Sequence, residues 1–89
     1  MHQARLLISG KVQGVFYRAS CEEVALKYGL NGWVRNLSSG QVEVVVQGEE
    51  DKVKKLIEWC KKGPPHASIA NIDIKWEEVM KQLQSFEVL

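Results

Sequence analysis

The chain has 89 residues, which is enough for one compact domain and too few for two, so we expect residues 1–89 to form a single domain. Its 12 Lys and Arg residues nearly balance 11 Asp and Glu residues, and a net charge of +1 gives no general attraction to nucleic acids or anionic membranes. No apolar run approaches the ~18 residues of a membrane-spanning helix and no signal-peptide pattern opens the chain, so we expect a cytoplasmic protein.

The first half of the chain predicts three strands and one helix. Residues 3–10 are apolar enough for a mostly buried strand. After a loop with glycines, the side chains of positions 21, 24, 25 and 28 share one apolar helical face, and Gly29 suits the end of that helix. Residues 30–36 predict a second strand, residues 37–40 a tight turn and residues 41–48 an alternating third strand, so strands two and three form a hairpin.

The second half predicts one helix and two strands. Residues 49–63 have acidic side chains in the first turn and lysines in the last, which is typical of a helix with conventional ends. Residues 67–79 alternate and residues 86–89 are a short final strand. The apolar face of the alternating segment is predicted to be Ala70, Ile72, Ile74 and Trp76. This order predicts an α+β, ferredoxin-like βαββαβ sandwich, with two helices on one face of a mostly antiparallel sheet and a short extra strand.

The cysteines, histidines and carboxylates show no metal-ligand spacing, so the sequence predicts neither a metal nor another cofactor. Cys21 and Cys60 form no CxxC motif and lie on apolar helical faces. They are predicted to be buried packing residues in a reducing compartment rather than a disulfide.

The loop GKVQGVFYR, residues 10–18, leads into a helix that lacks a Ser, Thr, Asp or Asn cap and carries Arg18 near its positive end. Gly10 and Gly14 allow successive backbone N–H groups to turn toward one anion, as do the unpaired N–H groups of a first helical turn. A phosphate at this place would complete the cap and give the guanidinium a partner. The alternative is a solvated arginine beside an ordinary turn, and the loop residues alone do not decide between the two.

Two other phosphate chemistries are excluded by residue order. A Walker loop needs a Lys and a Ser or Thr after its last glycine, whereas Val15 follows Gly14. A cysteine phosphatase places its nucleophile before the arginine, whereas Cys21 comes after Arg18.

The motif GKVQGVFYR, together with GWVRN, GQVEVVVQG, GPP and a closing FEV, closely resembles the acylphosphatase family over essentially the whole chain. The resemblance implies metal-free hydrolysis of the carboxyl–phosphate bond of acyl phosphates by direct attack of water. It further implies that Arg18 binds the phosphate and that Asn36 orients the attacking water. The phosphate-binding backbone cradle implied by the resemblance consists of Gln13, Gly14, Val15, Phe16, Tyr17 and Arg18.

Several alternatives remain open from the residues. A non-catalytic anion sensor or a nucleic-acid-binding module could share the fold, although the third strand has Val and Glu where an RNA-binding sheet presents aromatic residues. We therefore expect a free-standing monomer with a small acyl phosphate as its partner, and neither a nucleic acid nor a membrane. The Gln13 side chain either contacts substrate or shapes the loop, and Asn36 either orients water or starts the turn by bonding its own backbone. Arg5 and Arg35 are expected to be solvated.

Overall fold

The computed structural model describes all 89 residues. Its elements are β1 (His2–Lys11), α1 (Tyr17–Lys27), β2 (Asn31–Asn36), β3 (Val42–Gly48), α2 (Glu50–Lys62), β4 (Ser68–Glu77) and β5 (Phe86–Val88). The predicted ferredoxin-like order of strands and helices is confirmed. Neither helix has the length and apolar character that crossing a membrane requires.

The five strands form one sheet in the order β4-β1-β3-β2-β5. The pairs β1–β3, β1–β4 and β2–β3 are antiparallel, whereas β5 runs parallel to β2 and places Val88 opposite Val34. The backbone N–H of Leu89 then donates to the Val34 carbonyl at 2.9 Å. The end of the chain is therefore held beside β2, near the strand terminus that carries Asn36.

The hydrophobic core lies between the sheet and the two helices, because both helices turn their buried residues to the same side. Cys21 and Cys60 are free thiols in this core, as the sequence predicts. The other central members include Ala4, Leu6 and Ile8 of β1, Val42, Val44 and Val46 of β3, Ala25 of α1, and Val53, Leu56 and Ile57 of α2. Full burial of one Val, Leu or Ile side chain contributes about 1.5–3 kcal/mol.

The edge strand β4 departs from its predicted alternation. The register with β1 shifts between Ser9 and Gly10, so that Asn71 and Ile69 have partners in β1 and Ala70 is an extra residue. An extra residue of this kind is a β-bulge, which changes the side to which the neighbouring side chains point. Ile69 packs against the core while Ala70 is exposed, so the predicted inward position of Ala70 is wrong.

The sheet face opposite the helices carries a network of paired charges. Arg5 donates to Glu43 at 2.9 Å and to Glu77 at 3.1 Å, and Arg35 lies 2.7 Å from Glu43. Burial alone would raise the pKa of Glu43, but hydrogen bonds from Arg35 and Arg5 outweigh it and hold that pKa below its ordinary value. Arg35 is exposed, as expected, although Glu43 pairs with it across the strands, whereas Arg5 is half-buried between two carboxylates, so the expectation of a simply solvated side chain is wrong for Arg5.

A buried glutamine ties the β4–β5 connection to this same face. The side-chain amide of Gln47 donates to the Lys81 carbonyl at 2.7 Å, and its oxygen accepts from the Leu83 N–H at 2.8 Å. It also donates to the Gln3 side chain at 2.7 Å. The connection thus covers part of β3, which the alternating sequence pattern did not indicate.

Candidate functional site

The loop between β1 and α1 has an unusual backbone. Gly14 has φ 75°, and Phe16 has φ 65° and is the one non-glycine residue of the chain with a positive φ. A left-handed conformation costs a residue with a Cβ on the order of 1–2 kcal/mol. Closely spaced left-handed residues turn backbone N–H groups toward a common side and form an anion-binding nest. The Phe16 side chain is 80% exposed, so core packing does not account for this conformation.

The N-terminus of α1 is uncapped, as the sequence predicts. Phe16 occupies the N-cap position and no side chain caps the helix. The N–H groups of loop residues 13–16 donate no hydrogen bond within the chain, and those of Tyr17 and Arg18 precede the first helical donor, Ser20, which bonds the Phe16 carbonyl at 3.0 Å. A row of free donors therefore coincides with the positive end of the helix dipole.

Arg18 is held in place by the end of the chain. Its Nη1 donates to the carbonyl oxygen of Leu89 at 2.7 Å, and Leu89 is itself bonded to Val34 in β2. A guanidinium has five N–H donors, so this contact leaves most of the fork free for an anion. No local sequence motif points to Leu89, because the contact arises from the parallel pairing of β5 with β2.

Asn36 is the last residue of β2 and is exposed. Its carboxamide makes no hydrogen bond within the chain. The turn that follows is closed instead by the Leu37 N–H, which donates to the Gln41 carbonyl at 2.8 Å, and by the Gly40 N–H, which donates to the Leu37 carbonyl at 3.1 Å. The alternative in which Asn36 starts the turn by bonding its own backbone is therefore absent from the structure.

One cavity of about 310 Å³ brings the two polar side chains together. Arg18 and Asn36 both line it, although they come from α1 and from the end of β2. Its other lining residues are Val12, Gly14, Phe16, Tyr17, Ala19 and Val88. Of the predicted cradle, Gln13 and Val15 do not line this cavity, and Val15 is buried.

Gln13 connects the loop to the hairpin turn. Its Nε2 donates to the Leu37 carbonyl at 2.8 Å and to the Gln41 carbonyl at 2.9 Å. The Gln13 side chain could either contact substrate or shape the loop, and these two hydrogen bonds give it the loop-shaping role. Because Leu37 follows Asn36 directly, this contact also fixes where Asn36 lies relative to the loop.

Tyr17 anchors the start of α1 to α2 through the core. It is almost fully buried, its hydroxyl donates to the Cys60 carbonyl at 2.8 Å, and its ring lies 5.3 Å from that of Trp59. Burial, and then the neighbouring Cys60, raise the pKa of Tyr17 above its ordinary value. The side chain thus points away from the cavity, and Tyr17 can contact an anion there only through its backbone.

A larger concavity of about 600 Å³ lies on the opposite sheet face, beside Arg5, Trp33 and Glu77. Its central arginine is already paired with carboxylates, so this region offers an anion no free guanidinium. No three His, Cys, Asp or Glu side chains come together as a possible metal site anywhere in the chain. The smaller cavity is therefore the better candidate for anion chemistry.

Three comparisons with known proteins point the same way. The profile of the family described as Acylphosphatase matches residues 4–88. An acylphosphatase of Pyrobaculum islandicum is 50% identical over 88 residues, which cover 98% of this chain and 93% of that protein. The acylphosphatase structure from Bacillus subtilis superimposes with a TM-score of 0.96 at 30% identity, covering 100% of this chain and 99% of the other. The acylphosphatase structure from Coxiella burnetii gives a TM-score of 0.92 at 41% identity, covering 99% and 92%.

Proposed function

Because the chain belongs to the acylphosphatase family, we propose that Arg18, Asn36 and the backbone amides of residues 13–18 carry out its reaction. The protein is an enzyme that hydrolyses the carboxyl–phosphate bond of acyl phosphates to a carboxylate and inorganic phosphate. The observation that supports the proposed site is that Arg18 and Asn36 line one cavity beside a row of free backbone donors.

Arg18 and the loop amides bind the phosphoryl group. The guanidinium fork matches two phosphate oxygens, and the amides supply further donors at the positive end of α1. The Leu89 carbonyl holds the fork in place before substrate arrives, which lowers the entropic cost of ordering a long side chain. Charge on the phosphoryl oxygens is thereby stabilised in the transition state, which is the main requirement for a substrate with a good leaving group.

Asn36 positions the nucleophilic water. Its carboxamide oxygen can accept from the water while its NH₂ donates to the phosphate, and a neutral side chain adds no repulsion beside a dianion. The water oxygen forms a bond to phosphorus as the bond from phosphorus to the carboxyl oxygen breaks, and the carboxylate leaves. No carboxylate, imidazole, thiol or amine side chain lines the cavity, and the Tyr17 hydroxyl is bonded to the Cys60 carbonyl in the core, so the water proton passes to a phosphoryl oxygen of the substrate itself.

A single chain provides every residue of this site, so we infer that the catalytic unit is one copy of a single domain over residues 1–89 with a small acyl phosphate as its partner. The free, buried thiols of Cys21 and Cys60 favour a reducing cytoplasm. The connection over β3 and the paired arginines occupy the sheet face on which an RNA-binding domain of this topology stacks bases, which argues against nucleic acid.

The test is turnover of benzoyl phosphate, followed by the loss of its ultraviolet absorbance. An anion sensor would bind inorganic phosphate without turnover, whereas the enzyme hydrolyses the substrate and is inhibited competitively by phosphate. We expect activity to survive excess chelator, because the proposed site uses protein donors alone. Loss of activity in EDTA with recovery on adding Mg²⁺ would contradict the metal-free mechanism.

A further inference from the structure

The outer edge of β4 has no partner. β4 is the outermost strand and pairs with β1 on one side only, so the backbone groups along its other side face solvent. An exposed edge is a template for pairing with another strand. Two apolar side chains of this strand, Ile74 and Trp76, are 40% and 43% exposed.

The regular part of this edge is a defined segment. The β4 bulge lies at Ala70, and from Asn71 to Glu77 the register with β1 is unbroken. These seven residues form a regular ladder along which a further strand can pair, whereas the bulge interrupts pairing before Asn71. Ile74 is the central residue of the segment.

Two charged residues of the segment, Asp73 and Lys75, form no salt bridge within the chain. Lys75 lies directly opposite Arg5 in β1, which is an unfavourable like-charge pair, and the acidic group that its charge reaches is Glu77, which is already bonded to Arg5. Asp73 lies opposite Leu7 and forms no salt bridge.

We propose that β4 is a self-association surface, on which a second copy of this chain pairs antiparallel through residues 71–77 with Ile74 at the centre. In this register Ile74 faces Ile74 of the second copy, and each Asp73 faces Lys75 of the other chain. Ile72 then faces Trp76 on the helix side of the sheet. Asp73 and Lys75 each gain an oppositely charged residue directly across the new strand pair, and the exposed apolar side chains of Ile74 and Trp76 are covered.

The charges select this register over its neighbours. Moving the centre by one residue to Asp73 or to Lys75 places that residue opposite its own copy, where the like charges repel. Both shifts also shorten the paired segment. If the symmetry axis passed between two residues, a side chain on the helix side of the sheet would lie opposite one on the other side. Directly opposite residues of an antiparallel pair point to the same side of the sheet, so this register is excluded.

The dimer leaves the catalytic cavity open. β4 lies at one edge of the sheet, while β2 and β5, which carry Asn36 and Val88, lie at the other. A single pair of edge strands is a small interface, so we expect a dimer that dissociates on dilution.

Sedimentation velocity over a wide range of protein concentration tests the proposal. The wild type should shift from monomer to dimer as concentration rises, and Lys75→Asp should remain monomeric, because each Asp73 then faces another aspartate. Lys75→Asp removes the repulsion from Arg5 within the monomer, so loss of association would not reflect unfolding. The exchanged variant Asp73→Lys/Lys75→Asp should dimerise again, and all three proteins should have equal kcat/KM on benzoyl phosphate.

A cysteine cross-link tests the register. Under oxidation, Ile74→Cys should form a disulfide-linked dimer, because directly opposite Cα atoms lie about 4.5–5.5 Å apart. Ile72→Cys is the matched control. In the proposed register residue 72 lies opposite residue 76 of the second copy, so the two residues 72 are offset by four residues, or about 13 Å along the strand. The native thiols are buried and do not compete. A wild type that stays monomeric at all concentrations, an exchanged variant that does not recover, or equal cross-linking at both positions would overturn the proposal.

Discussion

Neither helix has a side-chain cap, but the first turns of the two helices carry opposite charges. α2 has Glu50 and Asp51 in its first turn, and Glu50 lies 2.9 Å from Lys54 and 3.4 Å from His2. The hydrogen bond from Lys54, with the charges of Lys54 and His2, lowers the pKa of Glu50. α1 has no acidic residue in its first turn, a left-handed Phe16 as its N-cap and an arginine as its second residue. The first helix therefore leaves its positive end for an anion, whereas the second neutralises that end with its own side chains.

The start of α1 is stabilised from the core instead. Tyr17 is bonded to the C-terminal part of α2, and Cys21 one turn later is fully buried against the same helix. Packing of Tyr17 and Cys21 against α2 therefore holds the start of α1 in place without a side-chain cap. A functional helix terminus can thus be firmly placed while its polar groups stay unpaired.

The largest effect should come from Arg18. We expect Arg18→Ala to lower kcat/KM by about 10²–10³-fold, equivalent to ~3–4 kcal/mol, and to weaken inhibition by phosphate strongly. Arg18→Lys should also be severely impaired, because a point charge cannot replace the planar fork. Steady-state kinetics with phosphate as competitor would measure both, with Arg35→Lys, outside the cavity, as the control. Near-native kcat/KM in Arg18→Lys would show that charge alone suffices.

Asn36 should separate turnover from binding. Asn36→Ala removes the group that positions water and leaves the phosphate donors intact, so kcat should fall about 100-fold while the phosphate inhibition constant stays nearly unchanged. Asn36→Asp should weaken both, because it places a carboxylate beside the phosphate. Asn71→Ala, an exposed asparagine away from the cavity, is the control. Native kcat in a folded Asn36→Ala protein would remove Asn36 from the mechanism.

Arg18 and Asn36 also differ in how far they can be predicted from the sequence alone. The missing cap, the glycines and Arg18 are adjacent in sequence, so the loop stands out locally as a candidate anion site, but only the family resemblance favours that site over a solvated arginine. Periodicity is sufficient to find the helices and strands. Asn36 was assigned through a family resemblance, and its proximity to Arg18 depends on the sheet order. The Leu89 contact and the bulge at Ala70 could not be predicted, because each depends on how one strand aligns with another.

Gln13 should have a smaller effect on the same cavity. Gln13→Ala removes two hydrogen bonds to the turn after Asn36, so we expect a loss of about 1–3 kcal/mol in the free energy of unfolding. kcat should fall by more than phosphate affinity, because the turn carries the water-positioning group. If Gln13 acts through Asn36, the double variant Gln13→Ala/Asn36→Ala should have nearly the kcat of Asn36→Ala alone. Fully additive losses would contradict this coupling.

The core support of α1 should weaken at alkaline pH. Burial, and then the neighbouring Cys60, raise the pKa of Tyr17 above its ordinary 10.0, while a hydrogen bond with Cys60, and then burial, raise the pKa of Cys21 above 9.0. A raised folded pKa gives stability that is fully present below the unfolded value and is lost as pH rises above it. We therefore expect the free energy of unfolding to fall above about pH 9, by up to ~1.4 kcal/mol per pH unit for each group. Urea denaturation of Tyr17→Phe should show a shallower fall above pH 10.

The smallest expected effect tests the contrast between the two helix starts directly. Ala19 is an exposed first-turn residue of α1, so Ala19→Glu places there the kind of charge that α2 already has. Favourable interaction with the helix dipole should raise the free energy of unfolding by about 0.3–1 kcal/mol at low salt. The same carboxylate lies beside the phosphate site and should weaken phosphate inhibition severalfold. Glu50→Gln on α2 is the matched opposite change: it should lower stability and leave phosphate inhibition unaltered. Both effects should shrink at high ionic strength, since both charges are exposed. If Ala19→Glu stabilised the protein without weakening phosphate inhibition, the positive end of α1 would not be where the anion binds.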